Sequence, residues 1–214
     1  VNRYFDFIRS HQGCIAWTKK WPSFWNSRVE AYYQWQSRIP VQRVSNGYSL
    51  ANAGASYYSD QPAPLVSTGN GVNYGLELTL SRRYNNGFYS MLTGSFFESR
   101  YRGSDGIWRN TAFNTGYILN VLAGKEIRLG RKTVLTLDGK FSTSGGRWYT
   151  PIDLPRSIAA GQELEDDSKP FSLRYPAFLR LDGKVGVRYN TRRYTHTLFL
   201  DVTNITNRQN VYAY

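Results

Sequence analysis

The stretch Val72-Asn73-Tyr74-Gly75-Leu76-Glu77-Leu78-Thr79-Leu80-Ser81 alternates without a break. Val72, Tyr74, Leu76, Leu78 and Leu80 are apolar, whereas Asn73, Gly75, Glu77, Thr79 and Ser81 are polar or small. Successive side chains of a strand point to opposite faces, so this spacing predicts one apolar and one polar face. Leu179, Leu181, Gly183, Val185, Val187 and Tyr189 repeat the pattern against Arg180, Asp182, Lys184, Gly186 and Arg188. Trp25, Val29, Ala31, Tyr33 and Trp35 oppose Asn26, Arg28, Glu30 and Gln34. Leu135, Leu137 and Phe141 oppose Thr136, Asp138 and Lys140. Segments 87–100, 114–128 and 194–207 alternate less cleanly, and 10–20 least of all. The expectation is eight strands of roughly ten to fifteen residues, long enough to cross a membrane, which takes about 9–11 tilted residues. Ordinary globular strands are about half that length.

The connections carry a separate signal. Trp21-Pro22-Ser23, Asn85-Asn86-Gly87, Gly130-Arg131 and Thr191-Arg192 mark tight links. Asn-Gly suits a type I′ turn, which needs positive φ at both central residues. Between these fall long links at about 38–70, 101–113 and 144–175, rich in Ser, Gly, Asn and Pro. A short helix is expected over 157–165. Strict alternation of short and long links is how outer-membrane barrels segregate periplasmic turns from extracellular loops.

Composition agrees. Hydrophobic residues make up 41% of the 214 and aromatics 16%, with 17 Tyr, 11 Phe and 6 Trp. Mean hydropathy is -0.52. No run approaches the about 20 apolar residues of a spanning helix. Without such a helix, only a closed barrel pairs every backbone group inside lipid. The fold class read here is therefore all-β, an antiparallel transmembrane barrel segment. Glu30, Glu77, Asp138, Arg180, Asp182, Lys184 and Arg188 would then face the lumen.

The net charge is +12. Its Lys and Arg pairs (Lys19-Lys20, Arg82-Arg83, Arg131-Lys132, Arg192-Arg193) sit at strand ends, which suits barrel turns better than a nucleic-acid face. No nucleic-acid partner is expected. Cys14 is the single cysteine, so no internal disulfide can form, and with only His11 and His196 beside it no zinc site is expected. No nucleophile elbow or phosphate loop occurs, so neither catalytic residues nor cofactors are assigned. The acidic cluster Glu163, Glu165, Asp166 and Asp167 reads as a solvated loop rather than a Ca²⁺ site. Arg100, Tyr101, Arg102, Trp108 and Arg109 flank one long link, and Arg147, Trp148 and Tyr149 open another. Aromatic faces and forked guanidinium donors suit sugars, anionic siderophores or peptides, so these eight are the candidate ligand-binding residues. They suit an interface girdle touching lipopolysaccharide phosphates as well.

NYGLELTLSRRYNNGFYSMLTGSFFESRYRG (73–103), DGIWRNTAFNTGYILNVLAGKE (105–126), YPAFLRLDGKVGVRYN (175–190), DVTNITNRQNVY (201–212) and VEAYYQWQSRIPV (29–41) together resemble the C-terminal barrel region of TonB-dependent outer-membrane receptors. The likeness is to the Bacteroidetes type, with a carboxypeptidase-regulatory-like N-terminal domain. It implies a 22-stranded barrel plugged by another domain. Short links after the first, third, fifth and seventh strands fit numbering these strands 14 to 21. Val1–Ile8 reads as β-like material, and 207–214 as a short loop and the start of a further strand. The chain is thus expected to be a mature, truncated or excised piece lacking plug, energy-coupling box and last strand. The partners implied are outer-membrane lipid and lipopolysaccharide, the plug domain and remaining barrel, TonB through the missing N-terminal part, and a surface lipoprotein. The implied role is uptake of a siderophore, glycan or peptide across the outer membrane. Two alternatives stand beside it: a small closed eight-stranded outer-membrane barrel with a structural or adhesive role, and a soluble β-rich carbohydrate-binding module.

Overall fold

The computed structural model describes residues 6–53 and 64–211. The chain forms β1 (Arg9–Lys20), β2 (Trp25–Gln42), β3 (Leu65–Asn85), β4 (Phe88–Arg102), β5 (Trp108–Asn110), β6 (Tyr117–Arg128), β7 (Thr133–Ser144), β8 (Trp148–Tyr149), α1 (Leu154–Ala160), β9 (Leu173–Arg174), β10 (Phe178–Asn190) and β11 (Thr195–Val202). Eight of these form one antiparallel meander in the order β1-β2-β3-β4-β6-β7-β10-β11. Strand β5 adds to β4, and β8 with β9 makes a separate two-stranded ribbon. All eight strands read from the alternation are present. Among the described residues the sheet does not close on itself: β1 pairs with β2 and β11 with β10, leaving both as edges.

Register aligns the alternation across the whole sheet. One row of partners runs Trp17–Val29–Leu78–Gly94–Leu119–Thr143–Leu179. The next row over carries Thr18–Arg28–Thr79–Thr93–Asn120–Ser142–Arg180. Apolar residues therefore share one face and polar residues the other. No layer covers the apolar face: Ile15, Trp17, Leu76, Phe96, Leu198 and Leu200 are all more than half exposed. The partner row that starts at Trp25, the first residue of β2, reaches β10 at Gly183, midway along that strand. Such stagger tilts the strands against the row direction, as closed barrels require of their walls.

The four short links follow Lys20, Asn85, Arg128 and Asn190. At the second, Asn86 has φ 50° and Gly87 φ 73°, the paired positive values the Asn-Gly signature predicts. A β-carbon on Gly87 would also lie 2.4 Å from the Glu126 carbonyl oxygen.

Three expectations need correction. The long link placed at 38–70 is shorter, because β2 continues to Gln42 and β3 begins at Leu65. Within it Arg38 takes φ 60° and the register slips between Ser37 and Ile39. This β-bulge inserts one residue and reverses the phase, so Ile39 and Val41 turn to the polar face. There they are 2% and 0% exposed, among the most buried residues of the chain. A period-2 reading cannot foresee an inserted residue. Secondly, the helix spans Leu154–Ala160 rather than 157–165. Pro155 sits in its first turn, the Asp153 side chain accepts from the Arg156 N–H, and Gly161 ends it with φ 63°. Thirdly, β11 stops at Val202 instead of 207. Beyond it the Asn210 side chain accepts from the Leu179 N–H at 3.0 Å and donates to the Leu179 carbonyl at 3.0 Å, imitating a strand partner. No strand starts within 207–211; residues 212–214, like 1–5 of the β-like start, lie outside the described residues.

Gly87→Ala should lower unfolding stability in detergent micelles by about 1–3 kcal/mol, from backbone strain and the clash with Glu126. Gly130→Ala, at a turn residue with open space around it, should shift the denaturant midpoint little, by about 0.5 kcal/mol or less.

Candidate functional site

The candidate ligand residues fall at the long-link end of the sheet, but β4 divides them between its two faces. Strand β5 folds back on β4 so that Arg102 pairs with Trp108, Tyr101 with Arg109 and Arg100 with Asn110. Arg100 and Arg102 occupy the apolar face, in register with Val72 and Asn70. The Arg102 guanidinium lies 5.6 Å from the Trp108 ring, and Trp108 lies 5.9 Å from Trp35. Arg100 is bound by Glu98 at 3.1 Å. These three side chains make an aromatic and basic border along the apolar face.

Tyr101 and Arg109 lie on the opposite side, and both are engaged. Tyr101 is fully buried, and its hydroxyl donates to the Gly47 carbonyl at 2.8 Å. Its ring meets Phe171 edge-on at 6.1 Å. Arg109 donates to both oxygens of Asp105 at 2.9 and 2.6 Å, and to the Ile107 carbonyl at 3.2 Å. The fork holds the Asp105 carboxyl below its ordinary value of 3.8; burial works against it, and the Ile107 N–H adds a smaller lowering effect. Gly47 sits where a β-carbon would strike Pro170 and crowd Arg109. Both residues thus anchor the first two long links and Phe171 to the polar face.

The second cluster follows the same logic. Trp148 pairs with Arg174 and Tyr149 with Leu173 across the β8–β9 ribbon. Arg174 packs its guanidinium 5.6 Å from Trp148, donates to the Gly146 carbonyl at 3.0 Å, and donates to the Thr115 carbonyl. Tyr149 stacks on Tyr175 at 4.2 Å, and the Arg147 carbonyl accepts from the Tyr175 N–H at 2.9 Å. Gly146 is required by space: a β-carbon there would lie 1.7 Å from the Tyr175 carbonyl oxygen. The Trp148 N–H reaches Ala112, and the Asn52 side chain accepts from the Ala112 N–H at 2.9 Å. The described parts of all three long links therefore join into one cap. It rests on the polar face over Ile39, Val41 and Tyr101.

Sequence reading named Tyr101, Arg109, Trp148 and Tyr149 but missed Phe171, Asn52, Asp105 and Arg174, which fasten them. Asp105 stands four residues before Arg109, and that spacing was the one available signal. The other pairings link distant segments, with no local trace.

Glu30, Glu77, Asp138, Arg180, Asp182, Lys184 and Arg188 share the polar face, as the alternation required. Several are tied across strands. The Tyr89 hydroxyl donates to Asp138 at 2.6 Å, passing over Gly124, where a β-carbon would collide with both. Arg188 donates to Glu126 through two nitrogens at 3.2 and 3.1 Å, and the Tyr84 hydroxyl donates to the same carboxylate at 2.6 Å. Arg180 meets Asp182 at 3.0 Å, Arg28 pairs with Glu30, and the Lys184 ammonium lies 4.2 Å from the Phe199 ring. In the acidic loop, Asp166 accepts from the Ser168 N–H at 3.0 Å and meets Lys169 at 3.2 Å. His11 and His196 lie on the two opposite edge strands. No helix among the described residues is long and apolar enough to cross a membrane.

No family model matches the chain, and neither curated proteins nor solved structures give a match.

The Arg109–Asp105 fork gives a pH signature. Because the folded carboxyl titrates below its ordinary value, the contact stabilises the cap fully above about pH 4 and is lost as pH falls through the depressed value. Hydrogen-exchange protection of residues 103–116, taken relative to the intrinsic rate at each pH, should be high at neutral pH and fall only in stronger acid. Asp105→Asn should be weakly protected at both.

Proposed function

We propose that this chain is wall and outer loops of a TonB-dependent outer-membrane receptor, contributing to energy-driven uptake of a nutrient. The observation that carries this reading is the continuous apolar face left uncovered across eight staggered strands. A soluble protein rarely exposes so much contiguous apolar surface. A soluble carbohydrate-binding module would need a second layer over that face. Lipid supplies such a cover with no protein layer at all.

Dimensions support the same reading. Trp25 and Trp35 bracket the apolar residues of β2, ten positions apart. At about 3.4 Å per residue and about 40° of tilt this gives a height of ~26 Å, against an apolar band of about 25 Å. Charge enters the apolar face only toward its two ends, at Lys19, Arg82 and Lys125 and at Arg9, Glu98, Arg100 and Arg102. The unpaired edges of β1 and β11 support a larger wall over a small closed barrel, because an open edge in lipid leaves backbone groups without partners. The polar face then lines a lumen, and the cap of long links stands at the outer mouth. The family resemblance supplies the nutrient classes: siderophore, glycan or peptide.

The membrane part of the reading has a direct test. Leu78→Arg, on the apolar face, should cost about 2–4 kcal/mol in lipid vesicles, whereas Thr79→Arg on the polar face should cost little. The transport part is read in cells. Disrupting the gene should abolish protonophore-sensitive uptake of at least one labelled siderophore, oligosaccharide or peptide. Unchanged uptake of all three classes would overturn it.

A further inference from the structure

The net charge is not spread over the fold. The four short links and their flanks (18–27, 81–90, 125–135 and 188–197) hold eleven Lys or Arg and a single carboxylate, Glu126. The three long links (36–70, 98–117 and 143–178) hold nine Lys or Arg and eight Asp or Glu. Register places all four short links at one end of the sheet. Most of the charge of +12 therefore sits on one rim.

That rim is not neutralised from within. Glu126 is already taken by Arg188 and Tyr84. Among the described residues, Arg131, Lys132, Arg192 and Arg193 are exposed and form no ion pair. Lys19 lies 3.8 Å from the Trp21 ring, and Lys125 donates to the Asn86 carbonyl at 3.0 Å; both contacts leave the charge uncompensated. Crowding like charges this way is unfavourable unless an anionic partner meets them. The same rim carries exposed Trp21, Phe24 and Tyr194, at 43%, 49% and 68%. Trp21 and Tyr194, rings with one polar edge, favour a membrane–water boundary. The rim is continuous with the apolar face through Lys19, Arg82 and Lys125.

We infer that the short-turn rim is a docking surface for anionic glycerophospholipid headgroups, with the phosphatidylglycerol type of charge, in the leaflet that borders these turns. The cations form a ring at headgroup height while the face beside them meets acyl chains. An anionic leaflet attracts such juxtamembrane cations, and salt screens the attraction. The opposite end, near charge balance, has no comparable preference. This rests on the lipid-facing reading of the apolar face.

The test uses the whole protein that contains this chain, purified in detergent and mixed with equimolar phosphatidylcholine and phosphatidylglycerol. Retained lipid is counted after delipidation, in a parallel series with lipid A replacing phosphatidylglycerol. The protein should retain phosphatidylglycerol over phosphatidylcholine. Combined Lys132→Gln, Arg192→Gln and Arg193→Gln should cut that preference at least about fivefold. Combined Arg43→Gln, Arg156→Gln and Lys169→Gln, which removes equal charge from the long-link end, should leave it intact. Should the first triple variant not fold, the unaltered protein decides. Its preference should vanish between about 0.01 M and about 1 M salt, as the screening length drops from about 30 Å to about 3 Å. Equal retention of both phospholipids, an equal effect of both triple variants, a salt-independent preference or a stronger rim-dependent preference for lipid A overturns the inference. Retention of no lipid at all instead overturns the lipid-facing reading beneath it.

Discussion

The structure depends on backbone pairing between long antiparallel strands held in one register. Each strand alternates apolar and polar side chains, so a slip of one residue would send every side chain to the wrong face. Across the six interfaces from β1 to β10 the register keeps Trp17, Val29, Leu78, Leu119 and Leu179 on one side. The result is a single layer without the core of a sandwich. Among the described residues few side chains are fully buried, and Val41 and Tyr101, the largest of them, stand on strands where the cap covers the polar face.

The polar face supplies what a second layer would otherwise provide. Two ties skip a strand: Tyr89 reaches Asp138 above Gly124, and Arg188, opposite Val134, reaches diagonally to Glu126, opposite Thr136. Such bonds lock neighbouring strands against sliding, and glycine matters at 124 because the tyrosine ring lies where its side chain would be. At the long-link end, the bulge at Arg38 changes the role of the face. Ile39 and Val41 swing under the cap, Gly69 makes room for Val41, and Tyr101 closes the cluster. One inserted residue turns a wall into a foundation for loops. Burying each such side chain contributes about 1.5–3 kcal/mol.

The two ends of the sheet are chemically unlike. One end is a compact cap with paired charges, Asp105 with Arg109 and Asp166 with Lys169. The other is a row of short turns where Arg131, Lys132, Arg192 and Arg193 find no carboxylate. The same tight turns that fix register also crowd those cations together, so hairpin geometry and electrostatics cannot be varied independently there.

The alternation by itself determined the eight strands, their two faces and the side on which Glu30, Glu77, Asp138, Arg180, Asp182, Lys184 and Arg188 stand. Strand periodicity is local, which is why it was legible. The Asn86-Gly87 turn was legible for the same reason, since its φ values are a property of those residues. The fate of the aromatic and basic loop residues was decided only in three dimensions. Arg100, Arg102 and Trp108 face one way while Tyr101 and Arg109 face the other, although they are near neighbours in the chain. Tyr101 is fastened by Gly47 and Phe171, from loops far away in the chain, and Asn52 and Arg174 tie the adjoining Ala112 and Thr115 into the same cap. Periodicity cannot encode contacts between segments that have no period, and the bulge at Arg38 shows that a single unpaired residue is enough to reverse it.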